Sequence, residues 1–264
     1  MSTDEIIKII NDSEMVLVGI GEEFEAGMQL LESSAIYTEF KNRLAAEKLD
    51  ESEFKWLYPA LLCATMNEEK TISGLLSAYN KVAEIIKDKN YFVISMNMDP
   101  VLEMSDIDSD RTVSPFGSYL RLQCPAGCGD NLYNASEYND SVMQTFLKRM
   151  GLENIKRGKC IICGKNLVSN TVNADKYIEQ GYLPQWEKYQ KWLMGTVNKK
   201  LAILELGVGL SYPSIIRWPF EKTTMYNNKA TLIRIGSLFP QLTPEIKERG
   251  ISVNINPLNF VNEL

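Results

Sequence analysis

Histidine is absent from all 264 residues, which excludes Ser–His and Cys–His nucleophile pairs and every His-ligated metal centre. General acid–base work is left to carboxylates, lysine, tyrosine or water. The chain also lacks a signal-peptide pattern and any apolar run long enough to cross a bilayer, so neither export nor a membrane span is expected. Basic residues are outnumbered by acidic ones. The 28 Lys and Arg against 34 Asp and Glu leave a formal charge of −6, and the isoelectric point lies near 5.0. Nucleic acids and acidic membrane surfaces are held chiefly by excess Lys and Arg, so neither is an expected partner. A cytoplasmic location follows from the same features. There is no internal repeat and no low-complexity linker.

The informative residues that are present are cysteines. Cys124 and Cys128 form one close pair in CPAGC, and Cys160 and Cys163 form another in CIIC. Zinc accepts thiolate at all four corners of a structural site, so two pairs can close one tetrahedral centre without histidine. Disulfides are the competing reading, disfavoured by the compartment and by Cys63, which is left over in an apolar stretch. Cys63 reads as a buried small hydrophobe.

Length and 45% hydrophobic content suit one large domain plus a small one. Short apolar runs recur at Met15 to Gly19, Tyr91 to Met96, Leu201 to Gly207, Ala230 to Gly236 and Ile251 to Asn256, and each reads as a buried strand. Helical periodicity fills the intervals, through Leu30, Leu31 and Ile36, over Glu53 to Met66, and over Thr71 to Lys89. The charged Lys81 to Lys89 part reads as a solvated face. Strands alternating with helices predict a Rossmann-like α/β fold, a mostly parallel sheet with helices on both faces. Residues 118–172 interrupt that alternation with both cysteine pairs, several glycines and a helix expected over Asp140 to Met150. This reads as an inserted zinc module, leaving 1–117 and 173–264 as the large domain. Trp186, Tyr189 and Trp192 fall three apart, the spacing of a helix face packed on a core; partner binding is the second reading of that stripe.

The string GIGEEFEAG, Gly19 to Gly27, directly follows the first strand, where a glycine-rich turn into a helix can approach a pyrophosphate. The same pattern also makes plain tight turns, and Glu22 and Glu23 would repel a phosphate unless they point away.

In order along the chain, these segments resemble sirtuins. Gly19, Ile20, Gly21, Glu22, Glu23 and onward to Gly27 are similar to the family's GAGxSxxxG, and Ser95 to Asp99 (SMNMD) to its TQNxD. Phe116 and Gly117 line up with the HG before the zinc module, and Gly207, Val208 and Gly209 with the GTS near the return strand. Glu205 to Glu221, ELGVGLSYPSIIRWPFE, resembles the macrodomain-linked microbial branch, which is associated with protein ADP-ribosylation rather than efficient deacetylation.

The resemblance implies NAD as cofactor beside zinc, bound by Gly19, Ile20, Gly21, Gly27, Phe116, Gly207, Val208 and Gly209. Asn97 and Asp99 would stand at the nicotinamide end as catalytic residues. The family's chemistry breaks the nicotinamide glycosidic bond and passes the ADP-ribosyl carbon to an acceptor. A deacylase needs a histidine where this chain has Phe116, and a phenyl ring takes no proton. The Pro-Asp-Phe-Arg string is replaced by Met28, Gln29, Leu30 and Leu31, Met96 replaces a glutamine, and Gly236 stands where an IN pair often supports the adenosine ribose. The implied function is therefore an NAD-dependent transferase that ADP-ribosylates a protein, with a catalytically inactive NAD or ADP-ribose sensor as the alternative. In either case an acceptor or partner protein is expected.

Overall fold

The computed structural model describes residues 3–24, 27–66 and 69–264, the side chains of 69–73 excepted. Six parallel strands form the main sheet: β1 (Met15–Ile20), β2 (Asn90–Ser95), β3 (Thr112–Val113), and, after an excursion, β7 (Leu201–Leu206), β8 (Ala230–Ile235) and β9 (Gly250–Val253). Their order across the sheet is β3-β2-β1-β7-β8-β9. The excursion carries an antiparallel sheet ordered β5-β4-β6, made of β4 (Gly117–Gln123), β5 (Leu132–Asn134) and β6 (Val168–Thr171).

Every position of β1 and β7 is buried, as expected of parallel strands covered on both faces. Side chains alternate between two cores. Val16, Val18 and Ile20 face one layer, built by α1 (Thr3–Asp12), α2 (Gly27–Glu32), α3 (Ala35–Glu47), α4 (Glu51–Phe54), α5 (Tyr58–Met66), α6 (Glu69–Ile86) and α7 (Val101–Met104). Also in it are α8 (Ser136–Leu147), from the excursion, and the C-terminal α11 (Pro257–Asn262). Met15 and Leu17 face the opposite layer, where α9 (Leu183–Met194) contributes Tyr189 and α10 (Arg217–Tyr226) contributes Phe220. Trp186 and Trp192 pack around Tyr189 as half-buried members of that core, so the stripe at three-residue spacing is a packing face.

Three helix boundaries differ from the periodicity. The stretch expected over Glu53 to Met66 is split into α4, a 3₁₀ turn at Lys55–Leu57, and α5. Pro59 has no N–H to give and is tolerated only in a first turn, so a helix has to restart just before it. The stretch after β1 likewise breaks into a 3₁₀ turn at Glu22–Phe24, then α2 and α3. Ser34 accepts the Tyr37 N–H at 3.0 Å and starts α3 afresh. The helix placed at Asp140 to Met150 is α8, shifted toward the N-terminus. Asn134 receives the Ser136 N–H at 3.0 Å at its start, and Arg149 turns into the left-handed region (φ 55°) after its end. Arg43 of α3 holds that end by donating to the Phe146 carbonyl at 2.6 Å.

Candidate functional site

The order of strands reverses between β1 and β7. The chain leaves β1 toward β2 and leaves β7 toward β8, and the region outside the carboxyl ends of such a strand pair is the usual ligand crevice of an open parallel sheet. Glycine is required where the two loops meet. A Cβ on Gly21 would lie 2.4 Å from the Val208 Cα, and Gly207 has φ +62°. Gly21 N–H donates to the Leu206 carbonyl at 2.9 Å, and Glu23 N–H to the Gly207 carbonyl at 3.0 Å, so those two amides are committed to holding the loops together.

The residues expected around a cofactor divide. Gly207, Val208 and Gly209 line the crevice side of β7, with Val208 buried in the second core. Gly19 and Ile20 belong to the sheet. Gly19 lets α10 approach, since a Cβ there would lie 2.5 Å from Ile216 Cγ2 and 2.6 Å from the Phe220 ring. Gly27 sits against Leu62 and the Asp99 Cβ. It opens a six-residue helix rather than the longer one expected to present N–H groups to an anion. Glu25 and Ala26, within the same string, lie outside the described residues.

Glu22 and Glu23 turn into the crevice. The Glu22 carboxylate accepts Gly209 N–H at 2.9 Å, and the Glu23 carboxylate accepts Ser237 N–H at 2.7 Å and Leu238 N–H at 3.2 Å.

At the end of β2, Asn97 and Asp99 are each only 3% exposed. Asn97 Nδ2 donates to the Tyr79 hydroxyl at 3.1 Å, and Asp99 Oδ1 accepts Val101 N–H at 2.9 Å. The other oxygens, Asn97 Oδ1 and Asp99 Oδ2, have no hydrogen-bond partner among the described residues. Burial pushes the Asp99 carboxyl up to about 6. Phe116 is buried in the second core and its ring packs against Tyr212. A cavity of about 610 Å³ lies between α5, α8 and the small sheet, walled in part by Trp56, Tyr58, Tyr119 and Tyr138.

Sequence reasoning missed the charged pair beneath the crevice. Glu205 on β7 and Arg234 on β8 are register partners, both almost fully buried, with Arg234 Nε donating to Glu205 Oε2 at 3.0 Å. Burial raises the Glu205 carboxyl against the opposing pull of Arg234. The signal was available, since each apolar run, LAILELG and ATLIRIG, carries one charge of opposite sign.

The four cysteines converge. Cys124, Cys128, Cys160 and Cys163 place their sulfurs within 4.8 Å of one another. A tetrahedral zinc with bonds of about 2.3 Å asks for sulfurs about 3.8 Å apart, so the cluster could hold one such ion. Each pair closes on a left-handed glycine: Gly127 (φ +65°) gives its N–H to the Cys124 carbonyl at 3.1 Å, and Gly164 (φ +71°) to the Cys160 carbonyl at 2.9 Å. Cys63, expected as a buried small hydrophobe, is half-buried and in no disulfide; its thiol accepts from Asn139 Nδ2 at 3.7 Å, and burial pushes its ionisation up to about 11.

No family model matches the chain. A probable bifunctional ADP-ribose hydrolase/ADP-ribosyltransferase of Fusarium oxysporum f. sp. cubense is 28% identical over 174 residues, 61% of this chain and 28% of that protein. A protein ADP-ribosyltransferase of Staphylococcus aureus strain Mu50 is 22% identical over 181 residues, 66% of this chain and 56% of that protein. The chain thus spans about half or less of these relatives. Among solved structures, a sirtuin bound to a propionylated peptide aligns over 100% of this chain and 97% of its own, with TM-score 0.55 and 14% identity. A second sirtuin structure, concerned with substrate affinity, aligns over 100% and 98%, with TM-score 0.56 and 14% identity. The fold is the sirtuin fold.

Proposed function

We propose that this sirtuin-fold chain is an ADP-ribose-handling transferase that takes NAD at the β1/β7 crevice and passes the ADP-ribosyl group to a protein. The observation that carries the reading is the pair of open, buried acceptors, Asn97 Oδ1 and Asp99 Oδ2. A buried acceptor without a donor is costly, and a carboxamide brings the two N–H groups that would satisfy this pair. The nicotinamide end of the cofactor would fit on uncovering these two oxygens, which are closed to solvent as they stand. The phosphate end fits only once Glu22 and Glu23 leave the amides they now occupy.

Bound NAD would supply a glycosidic bond that breaks to free nicotinamide and open a ribosyl carbon to attack. The chain's own residues orient and shield. Tyr79 fixes the Asn97 carboxamide through its hydroxyl, and Val101 fixes the Asp99 carboxyl. The two relatives named for ADP-ribosyl transfer support the reaction class, and Phe116 counts against deacylation. The four-cysteine cluster suits a structural zinc, because four thiolates leave no position for substrate or water. We take 118–172 as the module that this zinc holds together.

A second reading, a nucleotide sensor without turnover, is favoured by the Phe116–Tyr212 ring pair and by the two glutamates in the crevice. One experiment separates the two. Labelled NAD is incubated with the protein and candidate acceptors, and ADP-ribose binding is titrated in parallel, for wild type and Asn97→Ala. Transfer lost in Asn97→Ala with ADP-ribose binding kept supports the transferase. Binding without transfer in wild type supports the sensor. No binding of NAD or ADP-ribose at millimolar concentration rejects both.

A further inference from the structure

The amides at the carboxyl ends of β7 and β8 are already taken, and what takes them comes from the loop after β1. Glu22 Oε2 accepts Gly209 N–H at 2.9 Å. Glu23 Oε2 accepts both the N–H (2.7 Å) and the hydroxyl of Ser237, while its Oε1 accepts Leu238 N–H at 3.2 Å. Three glycines make room for these side chains. A Cβ on Gly209 would lie 2.7 Å from Glu22 Oε1, one on Gly207 2.6 Å from Glu23 Cβ, and one on Gly236 3.2 Å from Glu23 Oε1. Backbone N–H groups converging outside a parallel sheet form an anion cradle. A carboxylate seated in it makes charge-assisted hydrogen bonds of the kind a phosphate would make.

We infer that Glu22 and Glu23 are specificity-determining residues, the resident anions of this crevice, which exclude a phosphate-bearing adenine nucleotide until both leave the amides of Gly209, Ser237 and Leu238. The inference rests on the nucleotide reading above. Carboxylate and phosphate compete for the same donors, and they repel one another while both are near. Nucleotide affinity is therefore set by the cost of displacing two internal hydrogen-bonded carboxylates as well as by the contacts a nucleotide gains. Both side chains are half-buried rather than enclosed, so they can swing toward solvent without opening the core.

The full chain is titrated calorimetrically with ADP-ribose and with NAD, as wild type, Glu22→Gln, Glu23→Gln and the double variant. Removing one like charge a few ångströms from a phosphate at a half-buried site is expected to tighten ADP-ribose binding about tenfold, and the double variant should gain more. The gain should shrink as salt rises. A second readout needs no nucleotide: in the Glu22→Ala/Glu23→Ala variant, hydrogen exchange at the Gly209, Ser237 and Leu238 amides should speed up. Equal or weaker binding by the Gln variants, where wild type binds measurably, overturns the inference and leaves the nucleotide reading standing. No binding by any variant at millimolar concentration overturns the nucleotide reading and the inference with it. Unchanged exchange at the three amides overturns the assignment of the carboxylates whatever the nucleotide does.

Discussion

The Phe116 ring meets the Tyr212 ring edge to face, with centroids 4.8 Å apart and planes at 82°. An edge-to-face pair is worth about 0.5–1.5 kcal/mol beyond the area it buries, so each ring helps to hold the other at the position that we propose a deacylase would give to its proton acceptor. The pure protein is therefore expected to show no NAD-dependent deacetylation of acetyl-lysine peptides, since a positioned base contributes about a hundred- to ten-thousand-fold. Phe116→His alone should stay inactive, because Tyr212 still fills the neighbouring space; Phe116→His/Tyr212→Val is the variant to compare. Robust turnover by wild type would mean that another residue supplies the base.

Asp99 predicts a pH dependence of stability. Its folded-state value is raised from 3.8 to about 6 by burial, so between those limits the native state binds a proton that the unfolded state has released. Stability should fall as pH rises through that window, with the full penalty present above it and none below. Moving a carboxyl from 3.8 to about 6 corresponds to about 3 kcal/mol. Asp99→Asn is neutral throughout, so its stability relative to wild type should climb by about that amount from pH 4 to above pH 6. Urea denaturation of both proteins across that range measures it, and parallel curves would show that Asp99 ionises normally in the folded state.

The architecture was legible because fully buried parallel strands leave continuous apolar runs, and Met15 to Gly19 or Leu201 to Gly207 are too short for a helix and end in glycine. The cysteine cluster was legible because its four members fall in two short-range pairs. The roles of the glycines were not. Gly19 is needed by Ile216 and Phe220 on a helix that begins about two hundred residues later in the chain, and no local pattern records such a contact. Glu22 and Glu23 could be suspected of facing a phosphate, but the donors that receive them, Gly209, Ser237 and Leu238, come from the loops after two other strands. Glu205 and Arg234 were visible as odd charges, and only the β7–β8 register pairs them.

For the metal, one zinc per chain is expected by elemental analysis of protein purified without chelator. Cys124 is 3% exposed and follows β4 directly, so Cys124→Ser should release the ion and loosen β4, β5 and β6. Metal-ligand energy is folding energy for a small module of this kind. Amide protection should therefore be lost in that sheet while β1 and β7, buried in the larger core, keep theirs. Uniform loss across both sheets, or zinc retained at full occupancy in Cys124→Ser, would contradict this division.

The charged layer beneath the crevice gives the sharpest stability test. Arg234 binds Glu205 and Glu221, each at 2.9 Å, and donates to the Gln241 carbonyl at 2.6 Å. Arg217 reaches the Val208 carbonyl at 3.1 Å and the Phe239 carbonyl at 2.9 Å, so the two arginines fasten the loops that follow β7 and β8. Deleting one partner of a buried pair strands the other charge, which typically costs about 3–5 kcal/mol, whereas replacing both by apolar groups can be close to neutral. Arg234→Met should therefore lose stability toward the lower end of that range, because Glu205 has no exposure through which to find water and keeps Arg217, 4.0 Å away, as its remaining counter-charge. Glu205→Leu/Arg234→Met should recover most of the loss, with its remainder reflecting the half-buried Glu221 and the buried Arg217 left without their partners. Chemical denaturation of the two single variants and the double variant gives the coupling directly. A single-variant loss below about 1 kcal/mol would place the pair among exposed ion pairs and would mean that Arg217, 4.0 Å from Glu205, or water supplies what Arg234 gave.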